Sequence, residues 1–545
     1  MLGAAGVLLS ALNVANNNTT AAKQAISGRA LAEAKLALLG YAATRAATDD
    51  YPGRLPCPEA AGYYGSAANE GIASGFCTLP AVGRLPWRTL GLSKLTDGYG
   101  EPLWYVVSPG FALPSSTASV SINSNTDAQL TLDGIGAAAV ALIIAPGPSM
   151  NVQSATGCTA RVQSHGASPP DLRDYLECEN ADLPANELFA STGPSTSFND
   201  QVVRITKAEL FDVVEPVVAK RIEREIVPAL KTVYAPSTWG FSGTNPVYPF
   251  PALFANPGPG TGTSSFQGVA ANYGGLLPFN QTQGCTPSAS DPRCTTTFLA
   301  FSKSGNDTKT GGTGSIRTQS TCSWQSNVYV CTGEYNQPSI SLTFKLKVTK
   351  VAMGLRALDP SKVTCTAVDN IGSGLPTQNV GCSAVTAALQ SDGSAIVTIT
   401  TNALPYIFSS GWGTYADYTI KIDRAAIGDH ALLNSSDSTT GWFVRNEWYR
   451  LAYYAVAQGH TAASLPAPAC TTLSTCLSVT NVTPAGAQRA ILIFAGRALG
   501  AQARPSDNAV NYFEDPENYN GDRTYVKPTI SKVANDRVVV IDANP

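Results

Sequence analysis

Charge is scarce in this chain. Of its 545 residues only 14% are Asp, Glu, Lys or Arg, and the formal net charge is −3. No basic block occurs, and without clustered Lys and Arg to displace counterions nucleic acid is excluded as a partner. Histidine is scarcer still: the three residues His165, His430 and His460 stand in unrelated contexts. With no Cys-x-x-Cys pair either, a structural zinc site is excluded. Gly-x-Ser-x-Gly is absent, and Gly258-Pro259-Gly260-Thr261-Gly262 lacks the Lys of a phosphate loop, so it reads as a linker. No catalytic or cofactor-binding residue is assigned, and an enzyme is not expected. A long apolar run is missing as well. Met1 to Ala15 is mostly apolar but too short to cross a bilayer, and Asn16-Asn17-Asn18-Thr19-Thr20 is expected to end it. Residues 1–19 are therefore taken as a truncated apolar segment, with an export signal expected upstream. Membrane contact is expected only if such upstream residues exist.

Cysteine, by contrast, is well represented. Twelve cysteines fall into sequential neighbours: Cys57/Cys77, Cys158/Cys178, Cys285/Cys294, Cys322/Cys331, Cys365/Cys382 and Cys470/Cys476. An even count closing short loops reads as a disulfide framework, which places the chain outside the cytoplasm, in the periplasm or at the cell surface.

The chain also repeats itself. Trp104-Tyr105-Val106-Val107 returns as Tyr453-Tyr454-Ala455-Val456, and Ala141-Leu142-Ile143-Ile144-Ala145 as Ile491-Leu492-Ile493-Phe494-Ala495. Asp174-Tyr175-Leu176-Glu177 returns as Asn511-Tyr512-Phe513-Glu514, and Asn199-Asp200-Gln201-Val202-Val203 as Asn535-Asp536-Arg537-Val538-Val539. The interval from Tyr105 to Leu142 differs from that between Tyr454 and Leu492 by one residue. Each copy opens with a helix. Ile26, Ala30, Ala34, Leu38 and Ala42 recur at helical spacing, widened by Leu31 and Leu39. The second helix starts at Thr206-Lys207-Ala208-Glu209, a capping-box pattern, and lines Val213, Val217, Ile222, Ile226 and Leu230 along one side. Tyr51-Pro52 is echoed by Tyr248-Pro249, and Gly83 to Trp87 by Gly275 to Phe279. Strands are expected at Leu103–Ser108, Ala118–Ile122, Ala139–Ile144 and Gln201–Ile205, and a further helix at Trp442–Gln458.

Between Cys285 and Thr440 the text turns rich in Thr, Ser, Gly and Val and alternates as strands do. The expected organisation is α+β. A first module spans 20–206, a second 207–284 and 441–545, and a disulfide-tied, sandwich-like β-domain is inserted at 285–440.

Two groups of residues could bind something. Asp171, Asp174, Glu177, Glu179 and Asp182 surround Cys178, and a flexible loop of oxygen ligands is what a calcium ion requires. The spacing lacks the Asp-x-Asp-x-Asp-Gly order, so a solvated turn is the competing reading; calcium is the one cofactor considered. Trp239, Trp324 and Trp412 lie in loops or in the inserted region, where an exposed ring suits ligand contact.

The segment from Ala32 to Ala42 leads into Tyr51-Pro52-Gly53-Arg54-Leu55-Pro56-Cys57-Pro58. Then come Gly83-Arg84-Leu85-Pro86-Trp87-Arg88-Thr89-Leu90-Gly91-Leu92, Asp97-Gly98-Tyr99-Gly100-Glu101-Pro102-Leu103-Trp104-Tyr105 and Pro109-Gly110. Over residues 30–110 this resembles type IV pilin-like proteins and type II secretion pseudopilins of bacteria. The resemblance implies a pseudopilin-like first module, a long helix with a small antiparallel sheet, and the internal echo extends the same organisation to the second. It also implies a minor component of filament assembly, adhesion or secretion whose N-terminal helix meets other pilin-like subunits. The inserted domain would face a surface or glycan ligand. A secreted carbohydrate-binding adhesin, or a glycosidase using paired carboxylates, are the alternatives.

Overall fold

The computed structural model describes residues 2–116, 120–134, 138–150, 163, 170–182, 187–191, 198–233, 245–254, 266, 268–279, 300–336, 339–369, 377–404, 415–465, 467–472 and 474–543. The chain divides into two compact units, Met1–Lys220 with Arg445–Glu447, and Arg221–Val444 with Trp448–Pro545.

The first unit opens with α1, Leu2–Ala46, which is continuous for 45 residues. The polar run Asn16–Thr20 lies within this helix, because Asn and Thr each cost well under about 1 kcal/mol in a helix and no Pro intervenes. Its buried face is Ser27, Ala30, Leu31, Ala34, Leu38, Ala42 and Ala46. Ile26, expected in that stripe, is 49% exposed. Ser27 takes the place instead: its hydroxyl accepts from Gly98 N at 3.0 Å and donates to Lys23 O at 3.2 Å. The helix and the Asp97–Pro102 hairpin touch here so closely that a Cβ on Gly98 would lie 2.1 Å from Lys23 O.

Strands β1 (Ala81–Arg84), β2 (Trp104–Val107), β3 (Thr131–Leu132), β4 (Ala139–Ala145), β5 (Leu188–Phe189) and β6 (Gln201–Thr206) follow. An antiparallel sheet runs in the order β1-β2-β4-β6, and β3 pairs with β5 in parallel. Ala118–Ile122 is not a strand among its described residues; Ile122 N donates to Asn446 Oδ1 instead. Every residue of β2 and β4 is buried. One face of that pair, with Trp104, Val106, Leu142 and Ile144, packs against Leu172, Tyr175, Leu176 and Phe189 from the irregular layer.

The capping box forms at α2 (Lys207–Arg221): Thr206 N donates to Glu209 Oε2 at 2.9 Å, and Glu209 N donates to Thr206 Oγ1 at 3.2 Å. The unit boundary falls at 220, later than the expected 206. The Phe211 ring packs tilted against Phe111 with centroids 6.4 Å apart, and Phe211 and Val214 line the position of Gly53. A π-turn, Ile222–Ile226, precedes α3 (Val227–Val233). Pro228 cannot donate to a carbonyl one turn back, and the widened turn accommodates that loss. It also shifts the buried face: Phe211, Val214 and Val218 are buried before it, in place of the expected Val213 and Val217.

In the second unit β7 is Gly274–Leu276. An insert follows whose described residues form twelve strands: β8 (Phe301–Lys303), β9 (Thr308–Thr310), β10 (Ser315–Gln325), β11 (Val328–Asn336), β12 (Ser341–Val348), β13 (Arg356–Leu358), β14 (Val363–Asp369), β15 (Gln378–Asn379), β16 (Cys382–Leu389), β17 (Ala395–Thr401), β18 (Tyr415–Asp423) and β19 (Ile427–Asp429). One sheet runs β10-β11-β18-β14-β15 and the other β16-β17-β12-β8 with β9 also on β12. Leu342 of β12 shares a core with Tyr335, Ala367 and Tyr418 of the facing sheet, as in a sandwich.

After α4 (Gly441–Arg445) come β20 (Ala452–Val456), β21 (Ser478–Thr480), β22 (Gln488–Phe494), β23 (Thr524–Val526) and β24 (Arg537–Ala543). The expected helix through Gln458 stops at Arg445: Glu447 takes a left-handed backbone (φ 53), and β20 pairs on both sides. The sheet order is β7-β20-β22-β24, all antiparallel, and β21 pairs with β23 in parallel. This is the first unit's arrangement, strand for strand.

Hydrogen bonds show which residues correspond. Tyr105 OH donates to Pro56 O and Tyr454 OH to Pro249 O, both at 3.1 Å. Tyr248-Pro249 therefore answers Leu55-Pro56, not Tyr51-Pro52. Tyr105 pairs with Ile143, whereas Tyr454 pairs with Leu492. The counterpart of Leu142 is thus Ile491, one residue before the expected Leu492, and the odd residue in the sequence interval disappears.

Disulfides join Cys57–Cys77, Cys322–Cys331, Cys365–Cys382 and Cys470–Cys476. Cys178 is also disulfide-bonded, while Cys158, Cys285 and Cys294 lie outside the described residues. Among the described residues no helix is long and apolar enough to cross a membrane.

The contact at Gly98 gives a test. Gly98→Ala should lower unfolding stability by about 1–3 kcal/mol, the range for forcing an atom into a packed site. Urea denaturation measures it, and an unchanged midpoint would show that α1 does not approach the hairpin there.

Candidate functional site

An exposed aromatic group stands on the inserted sandwich. Trp324 near the end of β10 lies opposite Tyr329 of β11 in the ladder, so a tight turn through Ser326 and Asn327 sets the two rings side by side. Their centroids are 5.2 Å apart, and Phe301 of β8 closes the group at 5.1 Å from Trp324 and 6.0 Å from Tyr329. The Arg424 guanidinium sits 5.1 Å from the Trp324 ring centroid, held by Arg424 N donating to Asn327 O at 2.8 Å. Phe301 and Tyr329 are buried, whereas Trp324 remains 37% exposed. The arrangement is a supported ring with one accessible surface, next to a cation. Trp239 and Trp412 lie outside the described residues.

The acidic residues around Cys178 do not converge as a calcium site would need. Among the described residues no three His, Cys, Asp or Glu side chains gather to hold a metal ion. Asp171 is bound to Arg173 at 2.5 Å, and that hydrogen bond is the main cause holding its carboxyl below the usual range. Glu177 is buried and turned inward, where its Oε2 accepts from Asn199 N and Asp200 N at 2.9 and 2.8 Å. Asp174 is half-buried, and Glu179 and Asp182 are exposed. Asp171 therefore serves a turn and Glu177 a backbone lock. The physical reason is local: an irregular loop against a buried sheet must satisfy its backbone N–H groups, and the nearest carboxylate does so.

That lock occurs in both units. Glu177 N donates to Asp200 Oδ2 at 2.9 Å, and Glu514 N to Asp536 Oδ2 at 3.0 Å. Asn199 N and Asn535 N return the bond to Glu177 and Glu514. Asn180 and Asn518 accept from Ala190 N and Val526 N at 2.8 and 2.9 Å, tying the layer to β5 and β23. Sequence reasoning noted each of these segments as an echo but not that they pair. The signal was the joint recurrence of a Glu and a distant Asn-Asp.

Two of the histidines are structural. His430 Nδ1 accepts from Leu432 N at 3.1 Å at the start of a short turn, and fully buried His460 lies 3.0 Å from Pro246 O. Burial lowers both. His165 lies outside the described residues.

Comparison with protein-family models, with curated proteins and with solved structures finds no match to this chain.

The second lock predicts a pH dependence. Asp536 is wholly buried, and burial first, then the neighbouring Glu514 carboxylate, raises its carboxyl well above the ordinary value. A raised folded-state value means the stabilising contribution is full below about pH 4 and is lost as pH rises through that higher value. Each pH unit inside that window costs up to about 1.4 kcal/mol. Asp536→Asn keeps an acceptor for Glu514 N and cannot ionise, so its stability should fall less steeply from acid to neutral pH. Denaturant melts across that range check this, and equal slopes for variant and wild type would refute it.

Proposed function

We propose that this chain is an exported structural and interaction protein, a pilin-like or pseudopilin-like component built from two related helix-and-sheet modules, with the sandwich displayed for attachment. The observation that carries the reading is the overhang of α1. Thr19 to Ile26 are all exposed, and Ile26 and Leu36 leave 49% and 70% of their surface uncovered. A helix that exposes apolar side chains invites neighbouring helices of like subunits. The shared strand order of the two sheets supports a duplicated module, consistent with the pilin-like motifs between residues 30 and 110. Disulfides in both units fit an oxidising, extracellular compartment.

The second reading, a carbohydrate-binding adhesin, is favoured by one observation, the accessible Trp324 ring beside Arg424. Aromatic faces suit the apolar side of a sugar ring. The glycosidase reading gains less. Its two carboxyls must stand roughly 5 Å or more apart across a cleft, whereas Asp536 and Glu514 are hydrogen-bonded to each other and Asp536 is buried.

Two experiments separate these roles. Ile26→Asp with Leu36→Asp should abolish recovery of the protein in a sheared filament fraction while leaving its melting temperature unchanged. Undiminished recovery counts against assembly through this helix. Trp324→Ala should reduce binding to a glycan array at least tenfold; equal binding by the variant removes the sandwich face from the adhesion reading.

A further inference from the structure

A cleft of about 220 Å³ opens in the first unit beside the Cys57–Cys77 disulfide, between the last turns of α1, the loop after it and the Ala73–Gly75 segment. Its lining has a one-sided charge. Arg45 and Arg54 both border the space, and no carboxylate does. Their shared partner, Asp49, lies behind them with its side chain only 7% exposed, 3.3 Å from Arg45 Nη1 and 2.7 Å from Arg54 Nη2. One buried carboxylate thus fixes two guanidinium groups and neutralises one of their two charges. Each guanidinium carries five N–H donors, and Asp49 occupies one on each. Arg45 is further steadied at 5.2 Å from the Tyr41 ring centroid.

The remaining wall is of two kinds. Thr89 Oγ1 accepts from Ala73 N at 2.8 Å, which orients it and leaves its O–H to donate. Ser74 Oγ donates to Phe76 O at 2.6 Å and keeps its lone pairs for an incoming donor. Leu55 and Leu113 supply an apolar floor.

We propose that this cleft binds a small carboxylate of single-ring size, an acidic sugar of the uronic-acid class. The carboxylate takes charge-assisted hydrogen bonds from Arg45 and Arg54, and the ring hydroxyls meet Thr89 and Ser74. The ring's apolar side rests on the leucines. The volume sets the upper limit: it is below the range of drug-sized pockets and admits one ring, not a chain buried end to end. The inference is independent of the filament reading and of the sandwich, since every residue it uses lies between Tyr41 and Leu113.

The test is calorimetric titration of the full chain with glucuronate, with glucose as the uncharged ligand of matching shape. Saturable binding of glucuronate is expected, weaker at high salt, with glucose bound at least tenfold less tightly. Arg45→Gln should weaken glucuronate by roughly tenfold, the value of one charge-assisted hydrogen bond, with an unchanged melting temperature because its side chain is 47% exposed. If that variant melts early, Arg45→Lys keeps the charge without the fork and should still bind less tightly than wild type. Absence of saturable glucuronate binding at millimolar concentration overturns the proposal. So does equal affinity for glucose, or wild-type affinity in the folded Arg45 variant.

Discussion

The constraint on which the rest of the structure depends is that the central strands are buried on both faces. Antiparallel sheets commonly leave one face to water, and their strands then alternate apolar with polar residues. Here β2, β4, β20 and β22 contain no exposed position at all. Each four-stranded sheet therefore needs two covers. In the first unit a helix supplies one, through a stripe of small residues ending at Ala46. The other is an irregular layer, which brings backbone polar groups against an apolar surface where water cannot satisfy them. The paired Glu and Asp carboxylates answer that need in both units, accepting from the N–H groups of the loop and of the residues just before the last strand. What reads along the chain as acidic decoration is the condition for covering the sheet without helices on both sides.

The same reasoning explains why an insert whose described residues form a ten-stranded sandwich can sit inside the second unit. It is inserted between β7 and β20, strands that are themselves hydrogen-bonded neighbours, with Leu276 opposite Tyr453. In the first unit the equivalent connection, from Arg84 to Trp104, is short. Loop-closure entropy rises only slowly with length, so a connection whose ends are held by a ladder tolerates a large insertion. The insert contributes its own core around Tyr335, Leu342 and Tyr418, and a disulfide joins β14 of one sheet to β16 of the other. Small cores gain from such links, since they cannot bury enough surface to stand alone.

The two binding sites proposed above fall at positions outside the demands of the two four-stranded sheets. Trp324 is set by a hairpin register, and the two arginines of the first unit by one buried aspartate. Neither group is required to cover a sheet, which leaves both free to vary with a binding task.

Local chemistry was legible along the chain. The capping box at Thr206 and Glu209, the strand around Tyr105, the sandwich-like insert and four of the cysteine pairs follow from spacing alone, whereas the strand at Tyr454 was read as part of a helix. Short-range hydrogen bonds, period-two alternation and short loops depend on neighbours in sequence. The one-residue shift of Leu142 against Ile491 was not legible, because apolar runs align equally well in either register and only cross-strand pairing distinguishes them. Nor was the exchange of Ile26 for Ser27, decided by a hairpin passing within bonding distance of the helix. The inward turn of one member of the acidic cluster has the same origin. Glu177 belongs by sequence to the loop around Cys178, but by energy to Asn199 and Asp200, which folding brings beside it. Composition and periodicity thus determined most of the elements and that the chain is covalently tied. Register and the inward turn of the acids were decided by which groups had to lose water together.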